Sequence, residues 1–169
     1  MKKVSMSKLA LLAGLFLVLL AACKKDDNTG STYDAAGQYT KDSILIRDYL
    51  AANNLTATLD STGIFYSVVT PGNGVDSLKF NGSKFKSLYT GRLLNGTVFD
   101  STGTTARQFT YNQVIIGWRI AVTKITKGGK IKMYLPSYFA YGPEVNSGIP
   151  ANSVLIFDME MTDIDNTVQ

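Results

Sequence analysis

The stretch Phe85-Lys86-Ser87-Leu88-Tyr89-Thr90-Gly91-Arg92-Leu93-Leu94-Asn95-Gly96-Thr97-Val98-Phe99 decides the fold. Phe85 to Leu94 reads as a strand, and Asn95-Gly96 is a two-residue hairpin signal, because both residues tolerate the positive φ that a tight turn demands. The chain then returns through Thr97-Val98-Phe99, which commits this region to an antiparallel sheet. Upstream, Ile64 to Thr70 is aromatic and β-branched and is closed by the turn Pro71-Gly72-Asn73-Gly74. Nothing around that Gly-Asn-Gly suggests a phosphate loop.

Downstream, Val114 to Ile125 has the spacing of a helix, with Val114, Trp118, Ala121, Val122 and Ile125 on one face. Gly128-Gly129 closes it. A strand follows in which Ile131, Met133 and Leu135 alternate with Lys130 and Lys132. Pro136 to Ser153 is a loop. The last strand sets Leu155, Phe157, Met159 and Met161 against Ile156, Asp158 and Glu160. The expectation is an α+β domain, an antiparallel β-sheet wrapped around one short helix. Ahead of it, Asp42 or Ser43 is placed to cap a helix running to about Asn53, with Leu45, Ile46, Tyr49 and Leu50 on one face. That helical extension either packs on the domain or pairs with a second chain.

Composition narrows the chemistry. The chain has no histidine and one cysteine, Cys23, which excludes Ser-His-Asp and Cys-His catalysis and any disulfide within the chain. It also removes the commonest metal ligands, so neither a metal nor a cofactor is expected. The net charge of +4 misleads: three of the 17 basic residues, Lys2, Lys3 and Lys8, precede residue 23, leaving 14 against 13 acidic ones. No basic field argues for nucleic acid.

The N-terminus has its own grammar. A short basic start leads into the apolar run Leu9 to Leu20, the form of a secretory signal peptide over residues 1–22. Leu20-Ala21-Ala22-Cys23 resembles a bacterial lipobox, which implies cleavage before Cys23 and lipidation of its thiol. Two or three acyl chains, at about 0.8 kcal/mol per buried CH₂, would hold the protein on a membrane. Lys24-Lys25-Asp26-Asp27 reads either as an export tag of surface lipoproteins or as a charged tether. The expected order is residues 23–39 as lipidated cysteine and tether, 40–61 as helical extension and 62–166 as the main domain.

Five segments of that domain resemble, in order and spacing, the FKBP family of peptidyl-prolyl cis-trans isomerases. They are Tyr89-Thr90-Gly91; Asn95-Gly96-Thr97-Val98-Phe99-Asp100-Ser101; Val114-Ile115-Ile116-Gly117-Trp118; Pro136-Ser137-Tyr138-Phe139-Ala140-Tyr141-Gly142; and Ile149-Pro150 followed by Leu155-Ile156-Phe157-Asp158. The resemblance implies a proline pocket with Trp118 as floor, Tyr89, Phe99, Val114, Ile115 and Phe157 as walls and Ile149 on the rim. It implies that the Ile115 N–H and the Tyr141 hydroxyl hold substrate carbonyls, with Asp100 hydrogen-bonded beside the pocket. The implied function is isomerisation of X–Pro bonds in exported proline-containing polypeptides at the bacterial cell envelope, with sensitivity to the family's macrolide inhibitors. A non-catalytic peptide-binding or chaperone module on the same fold is the alternative. Three departures fall on the rim: a short segment between Asp100 and Val114, which leaves the register of Arg107 open; a shortened loop after Gly142; and Arg119-Ile120 after Trp118, where the family usually has an acidic residue. Taken singly, Trp118 and Phe99 read first as core aromatics. Tyr141 reads either as a site residue or as a loop anchor, and Asp100 either as a site residue or as a turn residue.

Overall fold

The computed structural model describes residues 33–167. Residues 1–22, read as a signal peptide, Cys23 and the Lys24-Lys25-Asp26-Asp27 run lie outside the described residues. Helix α1 (Ala35–Ala52) leads into seven strands: β1 (Thr58–Leu59), β2 (Phe65–Thr70), β3 (Lys84–Leu93), β4 (Val98–Ser101), β5 (Arg107–Thr110), β6 (Lys130–Leu135) and β7 (Leu155–Asp165). A short helix α2 (Ile116–Ala121) lies between β5 and β6. Every strand pair is antiparallel, in the order β1-β2-β6-β7-β3-β4, with β5 also on β3. This is the expected α+β architecture. Among the described residues no helix is long and apolar enough to cross a membrane.

The sheet curls around α2. Trp118, Ala121 and Val122 face Phe85, Met133, Leu135, Leu155, Phe157, Met159 and Met161 in one buried cluster. The helix is shorter than its periodicity predicts. Val114 (ψ 165) and Ile115 (ψ 153) are extended, and a 3₁₀ turn over Val122–Lys124 finishes the element before Ile125.

The other face of the central strands is also covered. Phe65, Tyr134, Val154 and Ile156 form a second cluster with Ile46 and Leu50 of α1. Tyr134 and Ile156 are therefore buried although their neighbours alternate, and the helix packs on the domain. Ile46 and Leu50 each contribute about 1.5–3 kcal/mol of burial.

Two expectations about α1 change. It starts at Ala35 rather than near Asp42, because Asp34 caps it by accepting the Gly37 N–H at 2.9 Å. The helix thus takes up the last residues assigned to the tether. Asp42 and Ser43 lie on its buried face, whereas Leu45 is 48 % exposed.

The hairpin differs in one detail. The Leu93 N–H bonds the Thr97 carbonyl, and the Gly96 N–H bonds the Leu93 carbonyl, each at 2.9 Å. The loop is therefore three residues, Leu94 to Gly96, with Gly96 at φ 87 in the left-handed bulge position. Glycine fills the position after the turn rather than half of a two-residue turn.

Candidate functional site

Strand β3 organises the site from one edge. Its residue Gly91 sits opposite Asp100 of β4 and Ser87 sits opposite Arg107 of β5, so Tyr89, midway between them, lies between an acid and a base. Pairing of β5 with β3 settles the register of Arg107 that the short Asp100–Val114 segment left open. The Tyr89 hydroxyl donates to Asp100 Oδ2. Arg107 Nη1 donates to the Tyr89 hydroxyl at 3.3 Å and stands 3.5 Å from Asp100 Oδ1. Asp100 and Arg107 keep 44 % and 55 % of their side chains in solvent. Their ion pair therefore adds little stability, about 0–1 kcal/mol, and its effect is to orient Tyr89.

Trp118 enters from the first turn of α2 and is 4 % exposed. Three rings box it edge-on: Tyr89 at 4.9 Å and 82°, Phe109 at 5.2 Å and 74°, and Phe157 at 5.2 Å and 84°. Phe99 stands edge-on to Phe157 at 5.6 Å. Such pairs prefer this geometry because the positive ring edge meets the negative ring face. The Trp118 Nε1 is buried with no hydrogen-bond partner among the described residues, so packing alone holds the indole.

Above this box opens a cleft of about 330 Å³, lined by Tyr89, Phe99, Asp100, Val114, Ile115, Trp118, Tyr141 and Phe157, with Arg107, Phe109 and Gln113. Of the residues expected from the sequence, the structure brings together all but Ile149. That residue is 4 % exposed in the core cluster, held where Asn146 and Ile149 bridge, and does not line the cleft. Phe109 and Gln113 were not foreseen. Phe109 belongs to a four-residue strand whose inward face is fixed by pairing with Phe85 rather than by a local pattern.

Two groups at the cleft can donate to a substrate, the Ile115 N–H and the Tyr141 hydroxyl. The Ile115 carbonyl accepts from Trp118 at 3.0 Å and Arg119 at 3.2 Å, while the Ile115 N–H bonds no backbone group among the described residues. Burial, followed by the hydrogen bond and charge of Asp100, pushes the Tyr89 phenol up to about 12. Burial and then the charge of Asp100 also push Tyr141 up. Both phenols keep their protons at neutral pH.

Residues 79–162 match the family of FKBP-type peptidyl-prolyl cis-trans isomerases. Through this domain the chain belongs to that family. It is 42 % identical over 110 residues to the FKBP-type peptidyl-prolyl cis-trans isomerase FkpA of Buchnera aphidicola, covering 64 % of this chain and 45 % of that one. The FkpA of Escherichia coli is 40 % identical over 106 residues, covering 62 % of this chain and 38 % of that one. The chain thus spans less than half the length of these relatives. The crystal structure of FkpA from Escherichia coli superposes with a TM-score of 0.66 at 33 % identity, over 78 % of this chain and 61 % of that one. A peptidyl-prolyl cis-trans isomerase from Pseudomonas syringae shares the fold, with a TM-score of 0.63 at 24 % identity, over 81 % of this chain and all of that one. Helix α1 lies ahead of the FKBP-matched residues yet belongs to the same compact unit as the sheet.

Proposed function

We propose that this protein is a peptidyl-prolyl cis-trans isomerase that acts on proline-containing segments of exported polypeptides. The observation that carries the reading is the aromatic box around Trp118, with Tyr141 and Ile115 at its mouth. The X–Pro amide has a rotation barrier of about 18–20 kcal/mol and exchanges unaided in roughly tens to hundreds of seconds. No bond is broken, so no nucleophile or proton carrier is needed. Water favours the planar, dipolar amide over the twisted one. Trp118, Tyr89, Phe99 and Phe157 replace water around the proline ring and remove that preference. The Ile115 N–H and the Tyr141 hydroxyl donate to the flanking carbonyls and fix the backbone on either side of the turning bond. Asp100 and Arg107 hold Tyr89 as a wall. Ile149, buried in the core cluster and bridged to Asn146, anchors the loop that carries it.

The test is a protease-coupled isomerisation assay on prolyl peptides. Acceleration that macrolides of the family's inhibitor class suppress supports the reading. Binding of prolyl peptides by the folded protein without acceleration replaces it by a peptide-binding module.

The sequence ending in Cys23 supports a second part of the proposal: residues 1–22 are removed, Cys23 is lipidated, and the domain works at a bacterial envelope membrane, the outer membrane or its surface leaflet. Intact mass of membrane-extracted protein should show loss of residues 1–22 and added acyl mass. An unprocessed N-terminus would rule this out.

A further inference from the structure

Helix α1 sends a carboxyl group into the domain. Asp42 is fully buried, and its oxygens accept three hydrogen bonds: from the Ser137 N–H at 2.7 Å, the Ser137 hydroxyl at 2.6 Å and Gln38 Nε2 at 2.7 Å. Ser137 is itself fully buried and opens the 3₁₀ turn Ser137–Phe139 that follows β6. Its carbonyl accepts from the Ala140 N–H at 2.9 Å and from the Gly142 N–H at 2.8 Å. Those are the two neighbours of Tyr141. The Gly142 carbonyl in turn accepts from Asn152 at 2.7 Å, which ties the far side of the loop. Tyr39 of α1 adds an edge-on contact to Phe139, with ring centroids 6.3 Å apart.

The backbone on both sides of Tyr141 thus hangs from one carbonyl, and the residue owning that carbonyl is clamped by Asp42. Burying a carboxyl group costs free energy unless its oxygens are bonded, and here both oxygens bond, two of the three bonds going to Ser137. A helix needed only for apolar cover would not require this. Ile46 and Leu50 supply that cover one and two turns further on.

We infer that Asp42 is a positioning residue for the isomerase: it acts through Ser137 to hold the Tyr141 hydroxyl over the cleft, and α1 is part of the site's machinery. The inference rests on the function proposed above. It adds that the family-matched residues 79–162 do not by themselves set the geometry of Tyr141.

The experiment uses the full chain in detergent and compares Asp42→Asn, Tyr141→Phe and the double variant. Asn keeps one acceptor for Ser137 and so protects folding, while Asp42→Ala removes both oxygens. Asp42→Asn should lower kcat/KM about threefold, chiefly through kcat, within the coupling expected inside one hydrogen-bond network. Once Tyr141→Phe has removed the hydroxyl, Asp42→Asn should cost almost nothing more. Amide hydrogen exchange supplies a readout independent of activity: Ala140 and Gly142 should exchange faster in Asp42→Asn while β7 amides keep the parent's protection. A folded Asp42→Ala variant should show both effects more strongly. An active parent with additive losses, or with unchanged exchange at Gly142, overturns this inference alone. A parent that does not accelerate isomerisation overturns the proposed function, and the catalytic role of Asp42 with it.

Discussion

Gly91→Ala is the sharpest perturbation of the aromatic wall. Gly91 is paired with Phe157 of β7 on one side and with Asp100 of β4 on the other. A Cβ built there would stand 2.6 and 2.7 Å from two carbons of the Phe99 ring and 2.9 Å from a carbon of Phe157. Carbon atoms prefer about 3.5–4.0 Å, so one of these rings must move by roughly 0.8 Å or more. Phe157 is 3 % exposed and locked against Trp118, so the half-buried Phe99 is the ring that yields. Overpacking of this kind costs about 1–3 kcal/mol, and the stiffer unfolded chain returns about 0.4–1 kcal/mol. The net loss is about 1–2 kcal/mol, a fall in Tm of roughly 3–6 °C. The activity loss should be larger in proportion, because the displaced ring is a wall of the cleft. A misplacement approaching 1 Å supports an expected drop in kcat/KM of about ten- to a hundredfold. Denaturant titration and the protease-coupled assay measure the two quantities. Val98→Ala, on the exposed side of the same hairpin, is the control and should be near neutral. A Gly91→Ala protein with the parent's Tm and kcat/KM would refute the ring packing on which the argument rests.

Phe99→Ala opens the same wall by deletion and should lower kcat/KM by more than about tenfold; Tyr141→Phe should cost less and Asp100→Asn an intermediate amount, with circular dichroism confirming the folds. Because Tyr89 titrates near 12 and Tyr141 is also raised, kcat/KM should be nearly flat between about pH 5 and 8; a titration inside that window would point to proton transfer instead. Asp60 is held down to about 2, first by the Lys124 hydrogen bond at 2.6 Å and then by Thr62. Its lowered pKa contributes stability that is complete above the unfolded value of 3.8 and fades as pH falls toward 2. Asp60→Asn should therefore lose about 1 kcal/mol at neutral pH, after discounting for solvent, and match the parent in acid melts below about pH 2.

The sequence makes some elements of this fold plain and conceals others for physical reasons. Leu155, Phe157, Met159 and Met161 point into the core as their alternation indicates, joining the buried cluster that holds Trp118 of α2. Alternation could not show that Ile156 and Tyr134 are buried as well, because their cover comes from α1, more than eighty residues away. Asp42 misled for a related reason. A polar residue ahead of an apolar run reads as a cap, whereas this one bonds Ser137 from inside the helix. In the site, Trp118, Tyr89 and Phe157 are legible from the order of motifs. Arg107 and Phe109 are not, because β5 is too short to carry a pattern and takes its register from β3. The resemblance implies a rim position for Ile149, whereas the structure bridges it to Asn146 and buries it in the core.

The composition of the cleft also decides how the proposed catalysis divides between its parts. A thousandfold acceleration requires about 4 kcal/mol of preferential binding to the twisted amide. The two donors, the Ile115 N–H and the Tyr141 hydroxyl, supply about 0.5–1.5 kcal/mol each if their bonds strengthen in the twisted state. They leave at least 1 kcal/mol, and more nearly 2, to the aromatic box. The box can supply it only while dry, which explains where the charges sit. Asp100 and Arg107 lie at the edge, about half in solvent, and reach the interior only through the neutral phenol of Tyr89. A charge at the floor would favour the planar, dipolar amide and work against rotation. Widening the box should therefore cost more than removing either donor, the same order expected for Phe99→Ala and Tyr141→Phe.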